Sequence, residues 1–337
     1  MSKKVTRATE ALAVGRLAHA LPFVKALART GAPVEKGLRA ARLPVESADP
    51  DLSVPVHSIW SFAELMARRE GIEDLGLEAS FEIDEAFLAG SLRTRILSAP
   101  NLLAGLRRFC DHCLTESNRT AGGLTQQKDS VQFWHLGAFD DHPGLQVMEV
   151  YFVMAQLTLL RLFLGPRWQP PVIGLQGPQV SRRARELLPD TRFLTGQPLH
   201  FVQFPRTLLS WPAPKRSAPG QGQNDPGPHE LQLGFADSLA SLLESYIPDG
   251  NPTIQFAAEL MGLSKRTLQR RLREMGLTYS SLLDQTRYGI AARMIRDPSV
   301  RLHEVAHSCG YEDPSHFSRA FRRLAGVSPS EYRQINH

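Results

Sequence analysis

The sequence predicts two domains: a mixed α/β amino-terminal domain, and an all-α carboxy-terminal domain with two helix-turn-helix units joined by a linker helix. Three observations predict this. A helix-turn-helix pattern occurs twice, its turn glycines 48 residues apart. A stretch rich in Pro, Gly and Gln, PAPKRSAPGQGQNDPGPH, precedes the pair and has too few large apolar residues to bury a surface. Before that stretch, helical periodicity mixes with short alternating segments. The boundaries implied are 1–211, a flexible linker at 212–230, and 231–337.

The first unit is Thr253–Glu274, TIQFAAELMGLSKRTLQRRLRE. Helical spacing puts Ile254, Ala257, Ala258 and Met261 on one face, and Gly262 supplies the residue that takes positive φ in the turn. Ser264 is placed to cap the second helix. There Leu268, Leu272 and Met275 share an inward stripe, while Arg266, Gln269, Arg270 and Arg273 share the opposite face. Arg can donate two parallel hydrogen bonds to a guanine edge, Gln can pair similarly with adenine, and either Arg or Lys265 can hold a phosphate. Taken alone, the stretch fits a solvated basic helix face, the usual meaning of a charge run, as well as it fits a groove reader.

The repeat shifts that balance. In Leu302–Leu324, Val305, Ala306 and Cys309 repeat the first apolar face, and Gly310-Tyr311 repeats Gly262-Leu263. Asp313-Pro314 is a cap followed by a first-turn proline. Phe317, Phe321 and Leu324 are expected inside, with Ser315, Ser318, Arg319 and Arg322 outside. Between the units, Ser281–Arg296 reads as one helix with Leu283, Ile290, Ala291 and Met294 buried. A rod of that length, roughly 24 Å, could hold two reading helices about one DNA turn apart.

Two such units joined by a helix and closing with Gly326-Val327-Ser328-Pro329 and Tyr332-Arg333 resemble the AraC/XylS-type transcriptional regulators. The resemblance covers about 231–333. It implies a sequence-specific regulator of double-stranded promoter DNA, an activator working with RNA polymerase. By position, it places base contacts at Arg266, Gln269 and Arg270 in the first unit and at Ser315, His316 and Arg319 in the second. Arg266 stands where several members carry an aromatic residue. The amino-terminal part is similar in layout to the branch containing ornithine-utilisation regulators, partly through SIWSFAELMARREG. That similarity implies a domain sensing a small-molecule effector or forming a homodimer.

Charge supports a focused interface. Residues 231–337 carry thirteen Lys/Arg against eleven acids, yet Lys265–Arg273 holds five basic residues and no acid. A local stripe is what phosphate neutralisation needs. Residues 1–45 hold nine basic residues against two acids. They lack a secretory signal pattern, and Leu12, Gly15, Leu17, Phe23, Val24 and Leu27 suggest an amphipathic helix packed on the domain. The apolar stretch Val147–Leu164 is interrupted by Glu149, Gln156 and Arg161, so it reads as buried structure and not as a membrane span. A cytoplasmic, nucleoid-associated location is expected, with no membrane partner.

Further back, helices are expected from Ile59 to Gly71, over Arg93–Leu97, over Leu102–Leu114 and over Arg182–Leu188. Strands are expected at Gln126–Leu136, Val172–Leu175 and Leu199–Phe204. Three cysteines are too few for a disulfide framework. Cys110-Asp111-His112-Cys113 has redox or metal spacing, but no second pair completes a site, and Cys110 and Cys113 fit an apolar helix stripe. His135 and His142, near Trp134 and Asp140-Asp141, are weaker candidates for a metal or polar effector. No phosphate loop, HExxH or GxSxG occurs, and a DNA-repair alkyltransferase would need a Cys followed by His-Arg and more cysteines. No catalytic residue, metal or cofactor is expected. The alternatives are an effector-independent structural DNA-binding protein and, less favoured, a metal- or redox-responsive regulator.

Overall fold

The computed structural model describes residues 13–45, 49–83, 91–117, 120–139, 141–214 and 235–335. Most of the expected linker, with the first twelve residues and Asp140, lies outside them. The elements are β1 (Val14–Arg16), α1 (Leu21–Arg29), α2 (Val34–Ala40), β2 (Ser53–Pro55), α3 (Val56–Glu70), α4 (Leu75–Ser80), α5 (Ser91–Leu97) and α6 (Leu102–Glu116). Then come β3 (Ala121–Gln126), β4 (Ser130–Leu136), α7 (Leu145–Leu164), β5 (Val172–Gly174), α8 (Arg182–Leu187), β6 (Arg192–Leu194) and β7 (His200–Pro205). The last seven are α9 (Phe235–Tyr246), α10 (Ile254–Leu260), α11 (Lys265–Glu274), α12 (Tyr279–Ile295), α13 (Leu302–Ser308), α14 (Pro314–Ala325) and α15 (Pro329–Ile335).

The chain forms two compact units. Among the described residues, one comprises those within Gly15–Leu43 and Val56–Gln232, and the other those within Met1–Val14, Pro44–Pro55 and Leu233–His337. The sequence reading places all of 1–211 in one domain, whereas the structure groups Pro44–Pro55 with the carboxy-terminal helices. The attachment is polar: the Ser241 hydroxyl donates to Ser53 Oγ at 2.6 Å, and the Ser245 hydroxyl donates to the Ser53 carbonyl at 2.6 Å.

In the mixed α/β unit a five-stranded sheet runs β3-β4-β7-β5-β6, antiparallel except for the parallel β5–β6 pair. Its alternation is clear in β4, where Val131, Phe133 and His135 are buried and their neighbours are less so. The strand expected over Gln126–Leu136 is in fact the end of one strand, a turn and a second strand. The Gln127 N–H donates to the Ser130 carbonyl and closes the hairpin. α7 is long and apolar enough to span a membrane by length and composition, but Met148, Tyr151, Leu157, Leu160 and Phe163 are buried in the core. Gly76 of α4 lies so close to the Val147 carbonyl of α7 that any Cβ would collide with it. Also on α7, Glu149 is 1% exposed. Its carboxylate accepts from the backbone N–H groups of Gln176 at 2.7 Å and Gly177 at 2.9 Å, which pins the loop after β5.

The helical unit closes around Leu239, Leu243, Ala257, Leu268, Ile290 and Phe321. Its helix starts are capped at Ser264 and Asp313, as the sequence suggests, and also at Thr253. Thr253 accepts from the Phe256 N–H, Ser264 from the Thr267 N–H, and Asp313 from the Ser315 N–H. Each such cap satisfies one of the orphan donors of a first turn. Two expected core positions are instead exposed. Met275 is 43% and Leu324 42% exposed, because α11 ends at Glu274 and Gly276 turns the chain at φ 72°, while α14 ends within a residue of Leu324 before Gly326 at φ 79°. The helical stripe stops where the helix stops.

Candidate nucleic-acid interface

Two turns position the candidate residues. After α10 the chain passes Met261 and then Gly262 at φ 63°, and the Leu263 N–H bonds back to the Ala258 carbonyl at 2.8 Å. Ser264 then starts α11. Burying Leu268 and Leu272, which are 0% and 1% exposed, fixes the rotation of that helix about its axis. Lys265, Arg266, Gln269, Arg270 and Arg273 are left exposed together. Arg271 lies off that face, its guanidinium 5.2 Å from the centroid of the Phe235 ring, where it serves packing. Of the five basic residues counted in the sequence, one is thus structural.

The second turn follows the same plan. Gly310 takes φ 71°, the Tyr311 N–H bonds to the Ala306 carbonyl at 3.0 Å, and Asp313-Pro314 opens α14. Phe317 and Phe321 are each 3% exposed. Ser315, His316, Ser318, Arg319 and Arg322 are exposed. The Ser318 hydroxyl donates to the Pro314 carbonyl four residues back at 2.9 Å, so it is the least available of the set. Backbone bonding from Ser315 holds the exposed Asp313 carboxyl below its usual range, and His316 Nε2 lies 3.6 Å from Asp313 Oδ2.

α12 is fixed from several sides. Arg323 of α14 pairs with Asp284 at 2.5 Å, Arg293 pairs with Glu244 of α9, and Arg287 donates to Asn251 Oδ1 at 2.9 Å while covering the Tyr311 ring. At 17 residues it is roughly 26 Å long. Its polar ties carry no period in the sequence, so only their residue types were legible there.

In the α/β unit the two histidine candidates lie in different surroundings. His142 packs against Trp60 and His57, with its Nε2 3.3 Å from the Ser61 hydroxyl. Burial, with the neighbouring His57, pushes it down to about 4. His135 is 7% exposed and pairs through Nδ1 with Nε2 of His200 at 3.1 Å. That partner is 65 residues away and the sequence did not suggest it. Burial holds His200 down to about 3, and burial with the His200 charge holds His135 well below its ordinary value.

Folded values below the unfolded value of 6.5 mean that the unfolded chain binds the extra protons. The stability this brings is present above about pH 6.5 and is lost as pH falls towards the folded values. Between about pH 6 and pH 4 the cost is expected to be on the order of 1 kcal/mol per pH unit per histidine. Urea denaturation against pH should therefore show a shallower slope for His200→Leu than for the unaltered chain; equal slopes would refute the neutral pair.

Burial, with Asp111 beside it, pushes the Cys110 thiol up to about 12, far from the depressed values of reactive cysteines. Cys113 is buried, and no group of three or more metal-ligating side chains occurs among the described residues. The α/β unit also holds a partly open pocket lined by Trp60, Phe109, His135, Met148, Phe152 and Gln156, among others.

Residues 31–213, over half the chain, match the family model for the N-terminal arabinose-binding domain of AraC transcription regulators, and residues 257–335 match a helix-turn-helix domain. The chain belongs to the AraC family of transcription regulators. The match to the Ornithine utilization regulator of Pseudomonas aeruginosa is 29% identical over 171 residues, covering 51% of this chain and 50% of that one. The VirS regulator of Mycobacterium tuberculosis is 28% identical over 295 residues, covering 81% and 78%. Among solved structures, the transcriptional regulator CdpR from Pseudomonas aeruginosa is 21% identical over 90% of this chain and 96% of its own, with a TM-score of 0.35. The chain spans about half the length or less of the first three relatives it matches. The family assignment thus rests on the match over residues 31–213, and the AraC-family chain carries both the amino-terminal domain and the paired reader.

Proposed function

We propose that this AraC-family chain is a sequence-specific DNA-binding activator whose amino-terminal domain takes up a small molecule and thereby controls promoter binding. One observation carries the reading. α11 and α14 are each capped, each fixed in rotation by two buried apolar side chains, and each exposes a row of Arg with Gln, His or Ser. A row that combines groove-reading with phosphate-holding side chains is what base readout needs. Lys265, Arg266, Gln269, Arg270 and Arg273 form the reading set of the first unit. Ser315, His316, Arg319 and Arg322 form that of the second, with Ser318 in support. The effector shifts the population in which both units engage adjacent major grooves, and the bound activator then works with RNA polymerase. The partly open pocket of the α/β unit supports the effector step, and the raised Cys110 thiol disfavours a redox trigger.

A footprint on DNA flanking the protein's own gene, with a salt titration, tests this. Two protected grooves about one turn apart are expected. Salt-sensitive binding without sequence preference would replace this reading with a structural DNA-binding protein that has no effector.

A further inference from the structure

The buried histidine pair beside the pocket fixes which ring nitrogen faces an occupant. His135 lines the pocket, and its Nδ1 meets Nε2 of His200 at 3.1 Å. Burial keeps both rings neutral near neutral pH, so each carries one N–H and one bare nitrogen. A single proton lies between them. Either His135 Nδ1–H donates to His200, or His200 Nε2–H donates to His135.

The far nitrogen of His200 decides between the two. Its Nδ1 is fully buried and has no hydrogen-bond partner among the described residues. Were His135 the donor, that Nδ1 would carry an N–H with nothing to accept it. With His200 as the donor, it keeps only a bare lone pair. Orphaned buried N–H groups are rarer in native structures than under-satisfied acceptors. His200 Nε2–H therefore donates to His135 Nδ1, and the proton of His135 sits on Nε2. That nitrogen has no partner among the described residues and, unlike His200 Nδ1, is not sealed off. A ring that is itself 7% exposed thus turns an N–H donor to the pocket.

The rest of the wall sets further limits. Trp60, Phe109, Met148 and Phe152 make it largely apolar. Gln156 offers an occupant nothing: its Nε2 donates to the Phe133 carbonyl at 3.1 Å, and its Oε1 is an orphan acceptor closed to the pocket. Thr120 spends its proton on the Cys113 or Ser117 carbonyl. His19 and His112 add two imidazoles, and among the described residues no Asp or Glu lines the pocket. A cation would lose its hydration there without a carboxylate to replace it. An acceptor oxygen would meet an N–H.

We propose that this pocket binds a small molecule with an apolar body and an acyl oxygen, and that the oxygen accepts from His135 Nε2–H. The proposal rests on the reading of the amino-terminal unit as the effector domain. It names the effector's class and the residue that recognises it.

Four probes of nearly one shape test it on the full chain by calorimetry: acetophenone, benzoate, cumene and benzylammonium. The better of acetophenone and benzoate should outrank cumene by about tenfold. Which of those two leads distinguishes a neutral carbonyl from a carboxylate. Benzylammonium should bind at least about a hundredfold more weakly than the leader. In the double variant His135→Leu/His200→Leu, which removes both members of the pair together, the preference over cumene should vanish while cumene binds as before. Nitrogen NMR of the histidine-labelled, unaltered chain should find the proton of His135 on Nε2.

Cumene or benzylammonium binding as tightly as the better acyl probe would overturn the proposal. So would a proton on His135 Nδ1, or no probe binding up to its solubility. An unchanged preference in the double variant would do the same, because the oxygen would then be held elsewhere. Should that variant fail to fold, the ranking and the spectra of the unaltered chain still decide. Promoter binding is measured separately, with and without the leading probe. Probe binding that leaves the footprint unchanged would keep the site and remove effector control, whereas a sequence-specific footprint without any probe binding would keep the reader and remove the site.

Discussion

Replacing Gly310 by Ala is expected to destabilise the helical unit by roughly 3 kcal/mol or more, against about 1 kcal/mol for the same change at Gly262. The two glycines occupy equivalent turns, at φ 71° and 63°, so the left-handed conformation penalises both alike. Their surroundings differ. A Cβ at Gly262 would meet nothing within 4 Å, whereas at Gly310 it would lie 2.7 Å from the Ile247 carbonyl oxygen and 3.0 Å from that of Gly250. Both obstacles are backbone and cannot rotate away. The second turn would have to move off the loop after α9, carrying Val305, Ala306 and Cys309, all at most 1% exposed, out of the core. Urea denaturation of the full chain, followed by helical circular dichroism, provides the measurement. Equal losses at the two sites would show that the close approach of Gly310 is not what holds the second unit.

The same pair of turns shows why the carboxy-terminal half was legible in the sequence. Each signal there is local. A glycine takes positive φ, a Ser or Asp caps four residues before a buried apolar position, and the apolar stripe repeats at helical spacing. Local signals also ran out locally. Met275 and Leu324 continue their stripes arithmetically, but Gly276 and Gly326 end the helices, and both side chains are exposed. A period gives the face of a helix but not its last residue.

Other features were set by partners distant in sequence. β3, AGGLTQ, has little strand propensity of its own and is a strand because all six residues pair with β4. Ser53 joins the helical unit through Ser241 and Ser245, 188 and 192 residues away. The His135–His200 pair and the orphan acceptor of Gln156 are likewise products of the sheet and of α7 lying across it. Val147–Leu164 was legible as buried structure, yet which of its polar residues pins a loop and which lines the pocket was not. Glu149 and Gln156 are separated in role only by what the folded chain brings to them.

Within the reader the largest functional effect is expected at Arg270. Its Ala variant should lose roughly 1–3 kcal/mol of binding to the preferred site, about 5- to 150-fold, and should relax the base preference at one position. The nearest competing partner, Glu274, stands 3.7 Å away, and both side chains are more than half exposed. Such a pair contributes at most about 0.5 kcal/mol, too little to hold Arg270 back from a base edge. Glu274→Ala should therefore leave affinity and preference nearly unchanged. Arg322, on the second reading helix, provides the contrast. If it holds a phosphate, Arg322→Ala should weaken all sequences alike and reduce the salt slope by about one. Affinity measured across single-base variants of the site, at several salt concentrations, separates the two behaviours. A uniform loss in Arg270→Ala, or a base-selective one in Arg322→Ala, would exchange their roles and move the base-reading contact to the second unit.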